Sequence, residues 1–365
     1  MADALVLYSG RGRVATVVDA TGTPVAEANS LRLGHPVAYA GHVDRAAVPA
    51  VAHLEGNFLF GGTYWNHFGH FLFESTARLW GYPALKDHLD GIVFVTPRGL
   101  GAHHADAGFQ RAVFDLLGVT APVIILDQST AITTLQVPAP GCGLGALASG
   151  TPEFRAFVQS RFRRITPRAG AAKIYLSRSG FGLRRGGILA EAHLEAALAA
   201  DGYLIYQPEK DPLEAQIATY LGAEKIISPD SSALHAFGFA GSAAQQVAIV
   251  LRRPEGAADI APQITAFTGR APLVLNCITR MRYRSNARTA AWAQVAEVDF
   301  SALGKALWEA GFLSSETALA GLSWREIRRT WALSAKTLRG EFCDALPSRR
   351  ARQAVLAGKG ALPED

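Results

Sequence analysis

The chain has 365 residues, of which 49% are hydrophobic and 18% are charged, a balance typical of a globular protein with enough apolar residues for two cores. Its net charge of +5 suits phosphate ligands or an anionic membrane surface. The excess is small and no stripe of basic and aromatic residues accompanies it, which argues against nucleic-acid binding.

Cysteine usage and hydropathy indicate a cytoplasmic protein. Cys142, Cys277 and Cys343 are too far apart in sequence for a disulfide framework or a zinc-ligand spacing. The chain does not begin with a basic region and a long apolar segment, and no later run approaches the ~20 apolar residues that span a bilayer. Basic clusters at Arg161–Arg168 and Arg349–Arg352 would allow peripheral contact with the inner membrane.

The N-terminal half has an α/β pattern. A helix is predicted from about Phe71 to Trp80. It is followed by a strand over Gly91–Val95, a helix over Phe109–Leu117 and a strand over Val123–Leu126.

Strands and helices alternate from residue 173 to residue 251. The predicted order is strand Lys173–Ser177, helix Ile188–Ala200, strand Tyr203–Gln207, helix Leu213–Leu221, strand Lys225–Ser228, helix Ser232–Phe239 and strand Gln246–Leu251. This alternation predicts a parallel sheet with helices on both faces, whose ligands bind beyond the carboxyl ends of the strands.

A basic helix end that passes into a Pro, Gly and Ala stretch at Arg161–Ala172 predicts a linker between domains. We therefore expect two Rossmann-like domains that face each other across a cleft, at residues 1–165 and 172–270. Residues 271–365 are predicted to be a helical segment, with amphipathic helices at Phe300–Ala310 and Leu322–Leu338, and a frayed basic tail.

The segment from Asn66 to Glu74 places polar side chains in an aromatic run. On a helix, His67, His70 and Glu74 would share one face. Polar groups buried without a partner cost roughly 1–3 kcal/mol each, so this face must be hydrogen-bonded or must line a cleft. The alternatives are a partly buried helix whose histidines are satisfied by neighbours, and a metal site, although a zincin would carry Glu next to the first His.

Further polar residues follow the predicted strands of the second half. Arg178 leaves the strand at Lys173–Ser177 and enters a loop with Arg184 and Arg185, where guanidinium groups could bind phosphate. Glu209 follows the next strand, at a depth where it could accept hydrogen bonds from a sugar or ribose hydroxyl. The alternative is that Arg178 pairs with Glu191 or Glu209 at the surface, and that Glu209 is an ordinary loop carboxylate.

The third strand of this half runs into a helix through small residues. These are Asp230, Ser231, Ser232, Ala233 and Leu234. A helix N-terminus here would offer free N–H groups to an anion, although Asp230 or Ser231 could equally cap the helix. We expect this turn, Arg178 and Glu209 to converge on one edge of the sheet.

The order of these motifs resembles glycosyltransferase family 61. The resemblance begins with Gly-His-Phe-Leu-x-Glu and Ala-Arg-Leu-Trp within Asn66–Trp80, continues with Ile-Tyr-Leu-Ser-Arg at 174–178, and covers roughly residues 57 to 252. Its later members, in order, are Glu191, Gly202-Tyr203, Pro208-Glu209, Gln216 and Ser228–Leu234.

The resemblance implies a GT-B-like fold and inverting transfer of a hexose or pentose from a nucleotide-sugar, typically without a bound metal. UDP is the expected nucleotide, and a glycan or lipid-linked glycan of bacterial capsular or surface polysaccharide is the expected acceptor. Arg178, Arg184 and the turn at 230–234 would contact the donor's pyrophosphate, with Glu209 near its nucleoside or sugar. Asn66 and His67 would line the remainder of the cleft.

This chain departs from the family at three places. The family commonly has Gly where Ser231 or Ser232 stands, Asn before the glutamate where Ala190 stands, and Asn in place of Ala236. A non-catalytic nucleotide-sugar-binding protein of the same fold is therefore an alternative, beside a metal-dependent hydrolase at His67, His70 and Glu74.

Inversion requires a base that takes the proton of the acceptor hydroxyl. Glu74 and His70, one turn apart, are predicted to act as a pair in which one takes the proton and the other orients it. Glu74 is the first candidate for the base and His70 the second.

Overall fold

The computed structural model describes residues 1–8, 16–32, 35–37, 41–48, 51–96, 108–284, 293–339 and 342–344. Contacts divide the chain into two compact units. The first unit comprises Met1–Leu176, Tyr206–Ile249 and Gly256–Val274, and the second comprises Ser177–Ile205, Val250–Glu255 and Leu275–Asp365. Within the described ranges, the structure contains no helix with the length and hydrophobicity needed to cross a membrane.

The strands in chain order are β1 (Ala2–Leu7), β2 (Thr16–Val18), β3 (Ser30–Arg32), β4 (His35–Val37), β5 (Ala52–Thr63), β6 (Gly91–Val95), β7 (Val123–Leu126), β8 (Thr130–Gln136), β9 (Lys173–Leu176), β10 (Gly187–Ile188), β11 (Leu204–Tyr206), β12 (Lys225–Pro229), β13 (Gln246–Val250), β14 (Leu273–Leu275), β15 (Ile278–Arg284), β16 (Val295–Val298) and β17 (Phe342–Asp344).

The helices in chain order are α1 (Phe68–His70), α2 (Tyr82–Leu85), α3 (Phe109–Leu117), α4 (Pro152–Phe162), α5 (Glu191–Ala200), α6 (Leu213–Gly222), α7 (Ala233–Ala240), α8 (Ile260–Thr268), α9 (Phe300–Glu309) and α10 (Trp324–Leu338). The strands and helices predicted over residues 91–126 have the predicted bounds.

A six-stranded mixed sheet forms the N-terminal part of the first unit. Its strand order is β2-β1-β8-β5-β6-β7. Strand β5 runs parallel to both β6 and β8, and β6 runs parallel to β7, whereas β1 is antiparallel to its neighbours. Alternate residues of β5 and β6, among them Phe58, Phe60, Val93 and Val95, pack into one hydrophobic core. The predicted α/β class is confirmed for this half.

A five-stranded sheet carries the predicted alternation of strands and helices. Its order is β11-β9-β12-β13-β14, and β9 pairs with β12 in parallel register. The predicted strands and helices between residues 173 and 251 are present, most with a bound shifted by one residue. One boundary was wrong, because Ile188 belongs to β10 and α5 begins only at Glu191. The mixed α/β fold with parallel strands agrees with an α/β glycosyltransferase.

The second unit contains a four-stranded sheet of order β10-β16-β15-β17. The predicted helical segment after residue 270 therefore also contains strands, which the sequence reading did not include. Strand β15 alternates Thr279, Met281 and Tyr283 with basic residues, a period of two that favours a strand, and it pairs antiparallel with β16 and β17. Helices α9 and α10 match the two predicted amphipathic helices closely. The predicted basic cluster at 349–352 lies outside the described residues.

The predicted linker at residues 161–172 is not a free connection. Arg163 donates to the carbonyl of Gly241 (2.7 Å), and the Arg168 N–H donates to the carbonyl of Ala218 (2.8 Å), all within the first unit. The two units also combine segments that are distant in sequence, so their bounds differ from residues 1–165, 172–270 and 271–365. The acceptor-side and donor-binding roles given to those ranges stay predictions.

Candidate active site

The histidine segment is not the regular helix that the sequence predicts. His67 has an extended backbone (φ −123°, ψ 124°), and only the single turn of α1 follows it. Phe71–Ser75 then forms a π-helical turn, closed by a bond from the Thr76 N–H to the Phe71 carbonyl (3.2 Å). Such wide turns are rare and frequently lie at functional sites.

The loop before this turn is fixed by Ser75. Its buried hydroxyl donates to the carbonyl of Thr63 (2.7 Å) and accepts from the N–H of Trp65 (3.0 Å). Phe71 packs edge-on against Tyr64, with ring centres 5.4 Å apart. Buried aromatic rings and one buried hydroxyl thus hold the loop and the turn together.

His70 and Glu74 form a direct pair, as their spacing suggests. His70 Nδ1 lies 2.5 Å from Glu74 Oε1, and the side chains are 38% and 10% exposed respectively. An ionised carboxylate only accepts hydrogen bonds, so Nδ1 carries the proton and Nε2 of a neutral His70 keeps its lone pair. The buried member therefore fixes the tautomer, and the more exposed imidazole is placed to accept a proton.

Aromatic rings lie close to this pair. The centre of the His70 ring is 5.4 Å from that of Trp65 and 5.0 Å from that of His67. Asn66 is exposed and its Oδ1 accepts from the buried amide of Gln110 (2.9 Å). The structure thus places His67 next to His70 and joins Asn66 to Gln110, and the roles of Asn66 and His67 stay predictions.

Gly69 joins this segment to the beginning of α7. A Cβ atom at Gly69 would lie 2.8 Å from Ser232 Cβ and 3.1 Å from His235 Cδ2. Contacts this short exclude any side chain at position 69 unless the backbone shifts. The glycine of the Gly-His-Phe-Leu motif therefore permits two distant motifs to meet beside His70.

His235 and Gln263 are two residues of this region that our sequence reasoning missed. The His235 ring stacks on Phe73 with centres 4.9 Å apart, and its Nδ1 donates to Gln263 Oε1 (2.5 Å). Gln263 in turn donates to the backbone carbonyl of His235 (3.3 Å). His235 directly follows the Ser231–Leu234 turn, a signal that was available, whereas nothing local marks Gln263.

The N-terminus of α7 differs from its predicted form. The N–H of Ala233 donates to Ser231 Oγ (3.2 Å), and the N–H of Leu234 donates to the Ser231 carbonyl (3.1 Å). The N–H of His235 donates to the Ser232 carbonyl (3.2 Å). These three groups are therefore not free to receive an anion, because the turn folds back tightly on itself. The Ser231 hydroxyl accepts within this turn, whereas the residue at the N-cap of α7 is Ser232, whose side chain makes no capping bond.

Asp230 and Glu209 lie in different environments. Asp230 is fully buried, and a Cβ at Gly256 would collide with its carboxylate at 2.1 Å, so glycine is required there. Burial favours a structural role for Asp230. Glu209 lies in a short 3-10 turn and is exposed. Donor contact for each stays a prediction.

In the second unit, the loop after β9 is organised by Glu191 and Phe181. The buried carboxylate of Glu191 accepts from the backbone N–H of Arg178 (2.8 Å). The guanidinium carbons of Arg178 and Arg185 lie 5.3 and 5.6 Å from the centre of the Phe181 ring, within cation–π distance. Arg184 is exposed. Glu191 therefore holds the backbone of Arg178, and the Arg178 guanidinium contacts the Phe181 ring.

A comparison with models of known protein families matches the central part of the chain. The model described as Glycosyltransferase 61 matches residues 68–248, which agrees with the resemblance predicted for roughly residues 57 to 252. Through these residues the chain belongs to glycosyltransferase family 61. A search of curated proteins found no match for the chain. The family supports glycosyltransferase activity, and such activity requires a donor and an acceptor.

Arg78, within the Ala-Arg-Leu-Trp motif of the family 61 domain, has a structural role. Its buried guanidinium donates to the carbonyls of Glu27 (2.8 Å) and Asn29 (2.9 Å) and lies over the Phe60 ring. Burial lowers the pKa of Arg78 to about 10. This side chain ties the segment around residue 28 to the helical turns that follow Glu74.

The predicted metal-binding alternative receives no support from side-chain geometry. Among the described residues of the family 61 protein, no three or more His, Cys, Asp or Glu side chains are grouped so that they could hold a metal ion. His67, His70 and Glu74 are near one another, but the Glu74 oxygen is bonded to His70 Nδ1.

Ala190, one of the departures from the family pattern, has a backbone conformation from which a change in stability can be predicted. Its backbone is left-handed (φ 58°, ψ 34°), a conformation that favours Gly or Asn. We expect Ala190→Gly and Ala190→Asn to raise the free energy of unfolding by about 0.5–1 kcal/mol, measured by urea denaturation. Ala196→Gly, on the exposed side of α5, is the control and should lower it by about 1 kcal/mol. A loss of stability at both positions would contradict the strain at Ala190.

The burial of His235 predicts that the stability of the family 61 domain depends on pH. Burial, with a smaller effect from His70, lowers the pKa of His235 below its usual 6.5. The unfolded chain then binds the proton more tightly, so this residue's contribution to stability is lost as the pH falls below about 6.5. His235→Gln should therefore reduce the loss of unfolding free energy between pH 7.5 and pH 5.5. Equal losses in both proteins would contradict the prediction.

Proposed function

We propose that this protein is an inverting glycosyltransferase that moves a hexose or pentose from a UDP-sugar to a hydroxyl of a glycan or lipid-linked glycan. A role in bacterial capsular or surface polysaccharide synthesis, in the cytoplasm or at the inner face of the membrane, is part of the proposal. The family supports the transferase class. The observation that carries the inverting mechanism is the His70–Glu74 pair.

In this proposal His70 is the general base and Glu74 orients it, which reverses the order predicted from the sequence. His70 has the more exposed side chain and a free Nε2 lone pair, whereas Glu74 is nearly buried and bonded to Nδ1. A buried carboxylate behind an imidazole fixes its tautomer and stabilises the imidazolium that forms.

The reaction then balances as a single displacement. His70 Nε2 takes the proton of the acceptor hydroxyl while the oxygen attacks the anomeric carbon of the donor sugar. The bond from that carbon to the diphosphate breaks on the opposite face, and the nucleoside diphosphate leaves with the electron pair. Its charge needs a cation or N–H groups. Arg178 is the proposed cation, and no metal or other cofactor is part of the scheme.

The finer fold assignment is also part of the proposal. A GT-B-like pair of Rossmann-like domains is implied by the family, and the parallel strands and alternating helices of the sheet containing β9 and β12 are consistent with one such domain.

The first test is a thermal-shift screen against UDP, GDP, CMP and their sugar conjugates, because a ligand that binds only the folded state raises the melting temperature. We expect a shift with uridine nucleotides that EDTA does not change. A shift with another nucleotide would change the donor class. No nucleotide shift, with destabilisation by EDTA and recovery with zinc, would instead favour the metal-dependent hydrolase.

A transfer assay separates an enzyme from a binding protein. With the nucleotide identified, release of UDP from the UDP-sugar is measured over a panel of glycan acceptors. Acceptor-dependent release supports the transferase. Donor binding without release for any acceptor would favour the non-catalytic alternative.

A further inference from the structure

Helix α10 is anchored in the second unit by Trp331. The indole N–H donates to Glu297 Oε2 (2.9 Å), and the ring faces the guanidinium of Arg282, with Cζ 4.8 Å from the ring centre. The Phe342 ring lies 4.8 Å away, and Ile327, one turn earlier on α10, packs in the same hydrophobic cluster. These contacts define the inner face of the helix, and the opposite face is exposed to solvent.

The outer face of α10 and its C-terminal cap is basic. With about 100° of rotation per residue, five basic residues fall within an arc of about 100°. All five are exposed: Arg325, Arg328, Arg329, Lys336 and Arg339. The one acidic residue of the helix, Glu326, lies outside this arc and is engaged by Ser323 in the capping box. The helix itself therefore supplies no acidic side chain within the basic arc.

Two apolar side chains border this arc. Trp324 is 66% exposed and Leu333 is 63% exposed, which makes them the most exposed large hydrophobic residues of the described chain. The guanidinium of Arg328 lies 4.6 Å from the Trp324 ring centre. Tryptophan favours the interface between lipid headgroups and acyl chains, because its ring is apolar and its N–H is polar.

We propose that the outer face of α10, made of the five basic residues with Trp324 and Leu333, binds the surface of an anionic lipid bilayer. The positive arc matches the negative headgroups, and each basic residue close to such a surface strengthens binding roughly fivefold. A soluble polyanion would satisfy the charges, but it would leave Trp324 and Leu333 in water. The lipid surface is the partner that covers both kinds of side chain.

The test is co-sedimentation of the full-length protein with vesicles of phosphatidylcholine alone or with 30% phosphatidylglycerol. We expect binding to the anionic vesicles only, weakening with added salt. Replacing Arg325, Arg329 and Lys336 together by Gln should weaken that binding roughly a hundredfold. Trp324→Ala with Leu333→Ala should also weaken it, although these changes alter no charge. Unchanged melting temperatures show that the variants are folded.

Two triple variants with the same change in charge are the controls. Lys86, Arg270 and Lys305 are exposed residues outside α10 and outside both predicted basic clusters, and their replacement by Gln should leave binding nearly unchanged. Replacement of Arg349, Arg350 and Arg352 tests the tail cluster predicted from the sequence. Equal weakening by the α10, control and tail variants would show that binding depends only on net charge, which would overturn the assignment to α10. Weakening in the tail variant alone would also overturn it. Unchanged binding by the Trp324 and Leu333 variant would show that charge alone accounts for the binding, and would overturn the part proposed for the two apolar side chains.

Discussion

Glu74→Gln should lower kcat by about 10² to 10⁴-fold while the affinity for the donor nucleotide stays within about twofold. The amide can still accept the hydrogen bond from His70 Nδ1, so the position of the ring is kept. What is lost is the negative charge that stabilises His70 once it has taken the proton. The measurement is initial-rate kinetics beside calorimetric titration with UDP.

The controls separate catalysis from folding and from charge. Glu214→Gln makes the same change at an exposed position on α6 and should leave kcat unaltered. His70→Gln should lower kcat at least as much as Glu74→Gln, and the double variant should be little worse than the worse single one, because the two residues act as a unit. Equal loss of turnover and nucleotide affinity in Glu74→Gln would make Glu74 structural. Activity that survives in His70→Gln but not in Glu74→Gln would restore Glu74 as the base.

The His70–Glu74 pair shows how much of the site could be predicted from the sequence. His70 and Glu74 are four residues apart, so nearly any helical backbone brings them together, and the π turn did not disturb that spacing. The choice of His70 rather than Glu74 as the base needed the exposure of each side chain, which the sequence does not give. Burial depends on the aromatic residues packed around the turn, which the local sequence does not arrange by itself.

The contact of Gly69 with Ser232 and His235 could not be predicted in the same way. It joins segments far apart in the chain, and each looks complete as a local motif. The same limit applied to the fold. Ile188 has a helical context, but β10 pairs with β16 more than 100 residues later, and that pairing overrides the local preference.

The sequence predicts free N–H groups at the beginning of α7. In the structure, the N–H groups of Ala233, Leu234 and His235 donate hydrogen bonds within the turn instead. Sequence shows that a helix follows a strand, but not whether Ser231 turns back to accept from Ala233 and Leu234. In the proposed transferase we therefore expect anion binding to depend more on guanidinium groups than on the N–H groups of this turn. Arg178 consequently has the greater share of the proposed donor recognition.

Arg178→Ala should weaken the affinity for UDP by about 10- to 100-fold, the loss expected for a charged hydrogen bond to phosphate. The variant keeps the backbone N–H that donates to Glu191, so the loop should retain its conformation. Arg185→Ala is the matched control, since it removes the same charge from the same Phe181 ring. Arg184→Ala tests the second predicted donor contact separately.

Calorimetric titration of the three variants with UDP distinguishes the outcomes. A large loss confined to Arg178→Ala would support a direct phosphate contact, because a general effect of positive charge would appear equally in Arg185→Ala. Arg178→Lys should recover only part of the affinity, since a lysine cannot present the two parallel N–H groups of a guanidinium. Unchanged affinity in Arg178→Ala would remove this residue from the donor site. The leaving-group cation would then have to be sought elsewhere, beginning with Arg184.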